Sequence, residues 1–333
     1  MSEKKQRIFV AGGGGFIGGH LAGVLLERGH EVVVADIKPQ TEWYQHHDSA
    51  TNLSLNLEEK KACFQAVEGC DTIYNLACNM GGMGFIENNR ALCMLSVLIN
   101  THMLMAAKEH QVKNYLYSSS ACVYAAGKQL DTDVSALKEE DAYPAMPENG
   151  YGWEKLFSER MCTHFAEDFG TNVRIVRFHN VYGTYGTWDG GREKAPAAMC
   201  RKVIEAIDSG SMKVEIWGDG EQTRSFMYID DCIKGLDKLI ASDFSQPINL
   251  GRSELVSINE LLSIVEDIAG VKVERSYNLN APQGVRGRNS DNTLIKKVLG
   301  WEPEIDLRTG MEKTYHWVKQ EFDRRKRGEK VIQ

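Results

Sequence analysis

The chain has 333 residues, 42% of them hydrophobic and 26% charged, which is enough to bury a sizeable core in one large or two closely joined domains. A formal net charge of -7 gives no basic field for nucleic acid, and the one cationic run, Arg324-Arg-Lys-Arg327, reads as a solvated tail. No stretch approaches the roughly 18 uninterrupted apolar residues of a membrane span, and the charged start Met1-Ser-Glu-Lys-Lys passes straight into a strand without a secretion signal, so no membrane partner is expected and the chain reads as cytoplasmic. Eight cysteines are scattered without C-x-x-C or His-rich spacing, which points to reduced thiols and no metal.

In chain order, apolar runs alternate with helical periodicities. Arg7–Ala11 reads as a strand, Phe16–Arg28 as a helix stopped by Gly29, and Glu31–Asp36 as the second strand. A helix over Glu58–Val67, a strand over Thr72–Cys78, one long helix over Arg90–His110 and a strand over Asn114–Ser119 follow. Tyr151–Phe169 carries a helical apolar stripe ended by Gly170, and Asn172–Phe178 is a sixth strand. Such alternation is that of an α/β doubly wound parallel sheet of the Rossmann type. Beyond residue 180 the pattern loosens into short elements with Gly, Asp and Pro turns. This places a dinucleotide-binding domain over residues 1–180, with returning segments from about 222–250, and a smaller C-terminal α/β substrate domain over 181–333.

The strongest local signal is Gly12-Gly-Gly-Gly15-Phe16-Ile17-Gly18, which follows a strand and opens a helix. Gly12, Gly15 and Gly18 allow a tight turn and close approach of the backbone to a pyrophosphate seated on the helix N-terminus. Asp36 ends the second strand, where a carboxylate bonds ribose hydroxyls and repels a 2'-phosphate, so NAD is expected over NADP. The G-x-x-G-x-x-G spacing resembles that of the extended short-chain dehydrogenase/reductase superfamily.

Tyr151 and Lys155 stand at i and i+4 on one helix face, and a cation beside a phenol is expected to draw its pKa down toward working pH. About 30 residues earlier lies Ser118-Ser119-Ser120, and the superfamily's Ser/Thr, Tyr, Lys triad implies Ser120, Tyr151 and Lys155. Ser120 would hold the reacting oxygen against the phenol. The pair after it, Ala121-Cys122, differs from the Ala-Thr of sugar-nucleotide 4-epimerases and the Asp-Glu of 4,6-dehydratases. Cys122 is therefore a candidate base for C–H removal, though a free cysteine is more often a small buried hydrophobe.

Over nearly its whole length the chain resembles the GDP-mannose 3,5-epimerase family. The resemblance rests on Asn79-Met-Gly-Gly-Met-Gly-Phe-Ile86, Ser119-Ser-Ala-Cys122, Arg177-Phe-His-Asn-Val-Tyr-Gly183, Gly190-Gly-Arg-Glu-Lys-Ala-Pro-Ala-Ala198, Trp217-Gly-Asp-Gly220 and Gly284-Val-Arg-Gly-Arg-Asn-Ser-Asp-Asn292. It implies an acid/base pair of Cys122 and Lys194 and a GDP-mannose substrate, with inversion at C3 and C5 through a 4-keto intermediate. It further suggests Gly82 and Met83 beside the hexose, Asn180 as a sugar contact, Gln222 and Arg224 at the nucleotide, and Lys202, Arg286 and Arg288 as cations, with Arg288 clamping the diphosphate. The chain departs from the family after Tyr124, where Ala-Ala-Gly-Lys-Gln replaces Pro-Glu and an aromatic. Another NAD-dependent sugar-nucleotide enzyme, such as a 4-epimerase or decarboxylase, and a non-catalytic NAD-binding regulator remain as alternatives. Helices 90–110 and 151–169 resemble the superfamily's four-helix dimer surface, so a homodimer is expected.

Overall fold

A computed structural model describes residues 4–332. The first lobe alternates β1 (Arg7–Ala11), α1 (Phe16–Glu27), β2 (Glu31–Asp36), β3 (Thr51–Ser54), α2 (Lys60–Ala66), β4 (Thr72–Asn75), α3 (Met83–Asn88), α4 (Arg90–Leu95), α5 (Val97–Glu109), β5 (Asn114–Ser120), α6 (Asn149–Phe169) and β6 (Asn172–Phe178). The second lobe carries β7 (Val181–Tyr182), α7 (Ala195–Asp208), β8 (Lys213–Trp217), β9 (Thr223–Arg224), β10 (Met227–Tyr228), α8 (Ile229–Ile240), β11 (Pro247–Leu250), β12 (Val256–Ser257), α9 (Ile258–Ala269), β13 (Glu274–Asn278), β14 (Gly287–Arg288), α10 (Thr293–Leu299) and α11 (Leu307–Lys326).

Seven parallel strands in the order β11-β6-β5-β4-β1-β2-β3 form the central sheet, with Phe9 opposite Val33 and Ser120 opposite Phe178. Its inner strands are almost wholly buried because both faces are covered. Val10, Val34, Leu116 and Val176 pack with Leu21 and Leu25 of α1 and Leu236 of α8. Phe9, Val33, Tyr115 and Ile175 point the other way, against Cys63 of α2, Met103 and Leu104 of α5 and Cys162 of α6. Residues 229–250 cross back: α8 lies against α1, and β11 becomes the edge strand beside β6, whereas β9 pairs with β12 and β14 of the second lobe. The first core cluster continues without interruption into the second lobe, where α7 packs on α9 and α11. The two lobes therefore share one hydrophobic core.

Three differences from the sequence-based expectation bear on the site. The expected 90–110 helix is two helices broken at Ser96, whose buried hydroxyl accepts from the Asn79 backbone N–H at 2.9 Å and so anchors the loop after β4. Strand β4 stops at Asn75 rather than Cys78, because the Ala77 backbone turns across Gly12. The short polar strand β3 extends the sheet beyond β2, where no strand was expected. Residues 90–109 have the length and apolarity of a membrane span, yet Ile99, Met103, Leu104, Ala106 and Ala107 are buried, as in a core helix of a folded domain.

Candidate active site

The dinucleotide turn is built by backbone geometry. Gly12 has φ +79°, a left-handed conformation that side chains disfavour, and the N–H groups of Gly12 and Gly13 both reach the Ala35 carbonyl, at 2.7 and 3.1 Å. A Cβ on Gly18 would run into the Gly12 carbonyl, so the close packing of α1 on β1 requires its absence. Gly15 caps α1 without any side-chain partner, leaving the helix's first N–H groups directed out of the turn ahead of Phe16 and Ile17. The Asp36 carboxylate lies 3.9 Å from where a Gly15 Cβ would stand, and it accepts from the Lys38 N–H at 3.1 Å. This cradle of bare backbone, free helix donors and one carboxylate fits the pyrophosphate and ribose of NAD. Trp43, which sequence reasoning missed, presses its buried indole against Gly14.

At the C-terminal end of β5 the three serines part company. Ser118 donates to the Asn75 carbonyl at 2.9 Å and Ser119 to Glu159, leaving Ser120 to hydrogen-bond Tyr151. Glu159 is also held by Arg177, with Nε at 2.9 Å and Nη2 at 2.7 Å, so Ser119 belongs to a buried structural network. The Tyr151 ring is 5% exposed and Lys155 stands 5.6 Å from its centroid. The expected lowering of the phenol pKa does not appear. Burial raises it well above the usual phenol value, the neighbouring Cys78, Cys122 and Glu154 add to this, and the Ser120 hydrogen bond opposes it. Lys155 is engaged instead by Glu154, whose Oε2 is 3.7 Å from Nζ, and by the Cys78 thiol.

Cys122 sits in a short 3-10 turn directly after Ser120, its N–H donating to the Ser120 hydroxyl at 3.2 Å. The Arg288 guanidinium reaches its sulfur at 3.5 Å. Lys194 and Arg224 are both within electrostatic reach of the same thiol, a cationic setting in which a cysteine can serve as a base. Lys194 arrives from the other lobe as the N-cap of α7. The Met80–Gly84 loop makes this possible: the Gly82 N–H donates to the Arg192 carbonyl at 3.0 Å, and a Cβ there would lie 2.5 Å from the Glu193 carbonyl. Burial lowers the Lys194 ammonium below the ordinary lysine value, against the raising effect of Cys122 and Cys78.

The substrate-binding candidates fall into two groups. Met83 touches the Gly284 turn, Gln222 donates to the Trp217 carbonyl at 2.8 Å, and Asn180, at φ +36°, donates to the Ser225 carbonyl at 3.0 Å. Lys202 donates to the Glu215 carbonyl at 2.7 Å beside the Trp217 ring. Arg224 bonds backbone carbonyls, including Gln283 at 3.1 Å and Val285 at 2.6 Å, and burial lowers its pKa to about 10. It is thus a desolvated cation without a carboxylate partner among the described residues. Arg286 is bidentate on Asp219, at 2.8 and 3.1 Å. Arg288 does not stand open as a diphosphate clamp. It is buried, with Nε 2.5 Å from Gln129 Oε1, an ion pair to Glu148 and the contact to Cys122, so all faces of its fork are taken. A cavity of about 310 Å³ opens beside this group between Glu87, Gln129, Glu148, Gly284 and Arg286. No cluster able to hold a metal ion occurs among the described residues.

Residues 8–251 match the model of the NAD dependent epimerase/dehydratase family. The chain is 45% identical over 325 residues to a GDP-mannose 3,5-epimerase 1 of Oryza sativa subsp. japonica, covering 97% of this chain and 84% of that protein. A GDP-mannose 3,5-epimerase of Arabidopsis thaliana is 44% identical with 97% and 85% covered. In three dimensions the fold is similar to a UDP-glucose 4-epimerase from Thermotoga maritima, with a TM-score of 0.86 at 23% identity over 95% of this chain and 99% of that one. The chain belongs to the NAD dependent epimerase/dehydratase family and, within it, to the GDP-mannose 3,5-epimerases.

Proposed function

We propose that this protein inverts C5, and then C3, of GDP-mannose, giving GDP-L-gulose and GDP-L-galactose by way of 4-keto sugars. The observation that carries the reading is the approach of Tyr151 and of Lys194, which arrives from the other lobe, to the same Cys122 thiol. NAD, held by the Gly12–Gly18 turn and Asp36, would supply the hydride acceptor and donor for C4. Ser120 holds the C4 oxygen and Tyr151 removes its proton. The resulting ketone acidifies C3–H and C5–H, neither of which is otherwise acidic. Cys122 removes the proton from one face of the sugar and Lys194 returns one from the other, while Ser120 and Tyr151 steady the enolate oxygen. Arg224 suits the diphosphate, since it is a half-buried cation whose present partners are only carbonyls.

A 4-epimerase needs no acid/base pair beyond the triad, and a non-catalytic regulator has no use for an intact Tyr151 and Lys155. The test is to incubate the purified protein with GDP-mannose and resolve the products by NMR. C5-inverted and doubly inverted sugars are expected, whereas a C4 epimer or unchanged substrate would overturn the reading. Asp36 supports NAD as the cofactor: Asp36→Ala should weaken NAD+ binding about tenfold, the loss of a charge-assisted contact, and gain affinity for NADP+. Wild-type protein that binds NADP+ more tightly would remove that role.

The homodimer is part of the same proposal. Leu92, Met94 and Leu95 of α4, Leu98 of α5 and Trp153 and Phe157 of α6 are exposed on helices packed side by side, and a second copy would cover them.

A further inference from the structure

Glu154 is a carboxylate that the mechanism above does not use, yet it is 3% exposed and stands between Tyr151 and Lys155 on α6. Its Oε1 accepts from Ser158 at 2.8 Å and from the Tyr117 hydroxyl at 3.2 Å. Its Oε2 has no hydrogen-bond partner and lies 3.7 Å from Lys155 Nζ. Lys155 is itself 1% exposed, with its ammonium 4.9 Å from the Tyr117 ring centroid. A lysine so buried loses its proton unless a counter-charge holds it. Among the described residues Glu154 is the carboxylate within ion-pair distance.

We propose that Glu154 is a positioning residue for C4 oxidation, a fixed counter-charge that keeps Lys155 an ammonium inside a dry site without taking one of its N–H donors. The separation is the main argument. At 3.7 Å the attraction persists in a low-dielectric interior, but the contact is longer than an ordinary hydrogen bond, so Glu154 leaves the Nζ donors to Cys78 and the reacting groups. Ser158 and Tyr117 hold the other oxygen, which fixes the carboxylate. The direction of the Lys155 shift agrees: burial lowers its pKa, but Cys78 and Glu154 together carry it above the ordinary lysine value. The other titratable groups facing this pair are Tyr115 and Tyr117 from β5, Cys78 after β4, Cys93 from α4, and Tyr151 and Cys162 on α6 itself. None of these is a carboxylate, so none replaces Glu154 as the neutralising charge.

The proposal rests on Tyr151 and Lys155 as the oxidation pair, but its test needs no substrate. In protein labelled with 13C at lysine Cε, the Lys155 signal, assigned by its absence in Lys155→Met, reports its ionisation directly. In Glu154→Gln, which keeps shape and hydroxyl contacts, Lys155 should titrate at least about two pH units lower than in wild type, with NAD+ binding retained and thermal stability reduced by the loss of the counter-charge. Glu154→Asp, whose carboxylate is drawn back by one methylene, should give an intermediate value. The alkaline loss of the C4 oxidation step should move down with the NMR titration, and its rate near neutral pH should fall roughly tenfold or more. A Lys155 that titrates in Glu154→Gln as in wild type overturns the proposal. If Glu154→Gln does not fold, an unshifted Lys155 in Glu154→Asp overturns it equally. A shifted Lys155 in a protein that leaves GDP-mannose unchanged would instead remove the substrate assignment and leave this inference standing.

Discussion

Cys122→Ala should keep NAD+ and GDP-mannose binding and still oxidise C4, but stop exchanging carbon-bound hydrogen with solvent. In D2O the wild-type products should carry deuterium at C5, and at C3 as well in the doubly inverted sugar, with none at C4, because the C4 hydrogen shuttles through the cofactor. Removal of a general base typically costs about 10²- to 10⁴-fold, so incorporation should fall by about that range. The local geometry makes the variant a clean probe. Cys122 is held through its backbone, by the Ser120 hydroxyl and by its carbonyl's bond to the Glu148 N–H at 3.2 Å, and an alanine keeps both contacts. Lys194→Ala tests the opposite face: it should lose inversion while retaining some exchange, since the thiol can still take a proton and give it back on its own side. Deuterium uptake by Cys122→Ala at the wild-type rate would make the cysteine a mere packing residue at the end of β5.

What could be read in advance depended on how local the signal was. Gly12 to Gly18 and the Tyr151–Lys155 spacing are encoded within one turn of chain, so their geometry survives any detail of packing. The choice of Ser120 over its two neighbours depended on family resemblance, and the structure supplies the reason: Ser118 and Ser119 are already bonded to Asn75 and Glu159. The surroundings of Arg288 were not legible because they are assembled from Gln129, Glu148 and Cys122, segments that meet only in the folded chain. Sequence alone shows an arginine in a Gly-rich stretch, and nothing there says that its fork is filled. Glu154 was invisible for a related reason. On a helix it reads as one more charged position, and only the crossing of β5 beneath it, which brings Tyr117 to its carboxylate, shows that it is buried. The break at Ser96 likewise depends on a hydrogen bond from Asn79, outside the helix it interrupts.

Tyr151→Phe should fold, bind NAD+ and show no C4 oxidation, seen as the absence of any NADH absorbance on mixing with GDP-mannose and of any product afterwards. The expected loss is at least about 10³-fold, because the phenol is both the base for the C4 hydroxyl and a support for the enolate oxygen. The pH dependence of the wild type gives a second, sharper check. Burial, reinforced by Cys78, Cys122 and Glu154, holds the Tyr151 proton above the usual phenol range, so the oxidation step needs that proton removed and should speed up as pH rises, until Lys155 in turn loses its proton. Lys194 works in the opposite sense. Its burial-lowered pKa means that the proton it must deliver is lost at a lower pH than for a free lysine, so inversion at C3 and C5 should weaken as pH climbs through that value. Oxidation and inversion should therefore separate at high pH, with 4-keto sugar accumulating while fewer centres are inverted. Ser120→Ala removes a hydrogen bond that lowers the Tyr151 pKa, so it should move the oxidation limb to still higher pH without moving the Lys194 limb. Wild-type turnover in Tyr151→Phe, or a Ser120→Ala profile that shifts both limbs together, would mean that the hydroxyl pair does not handle the C4 proton.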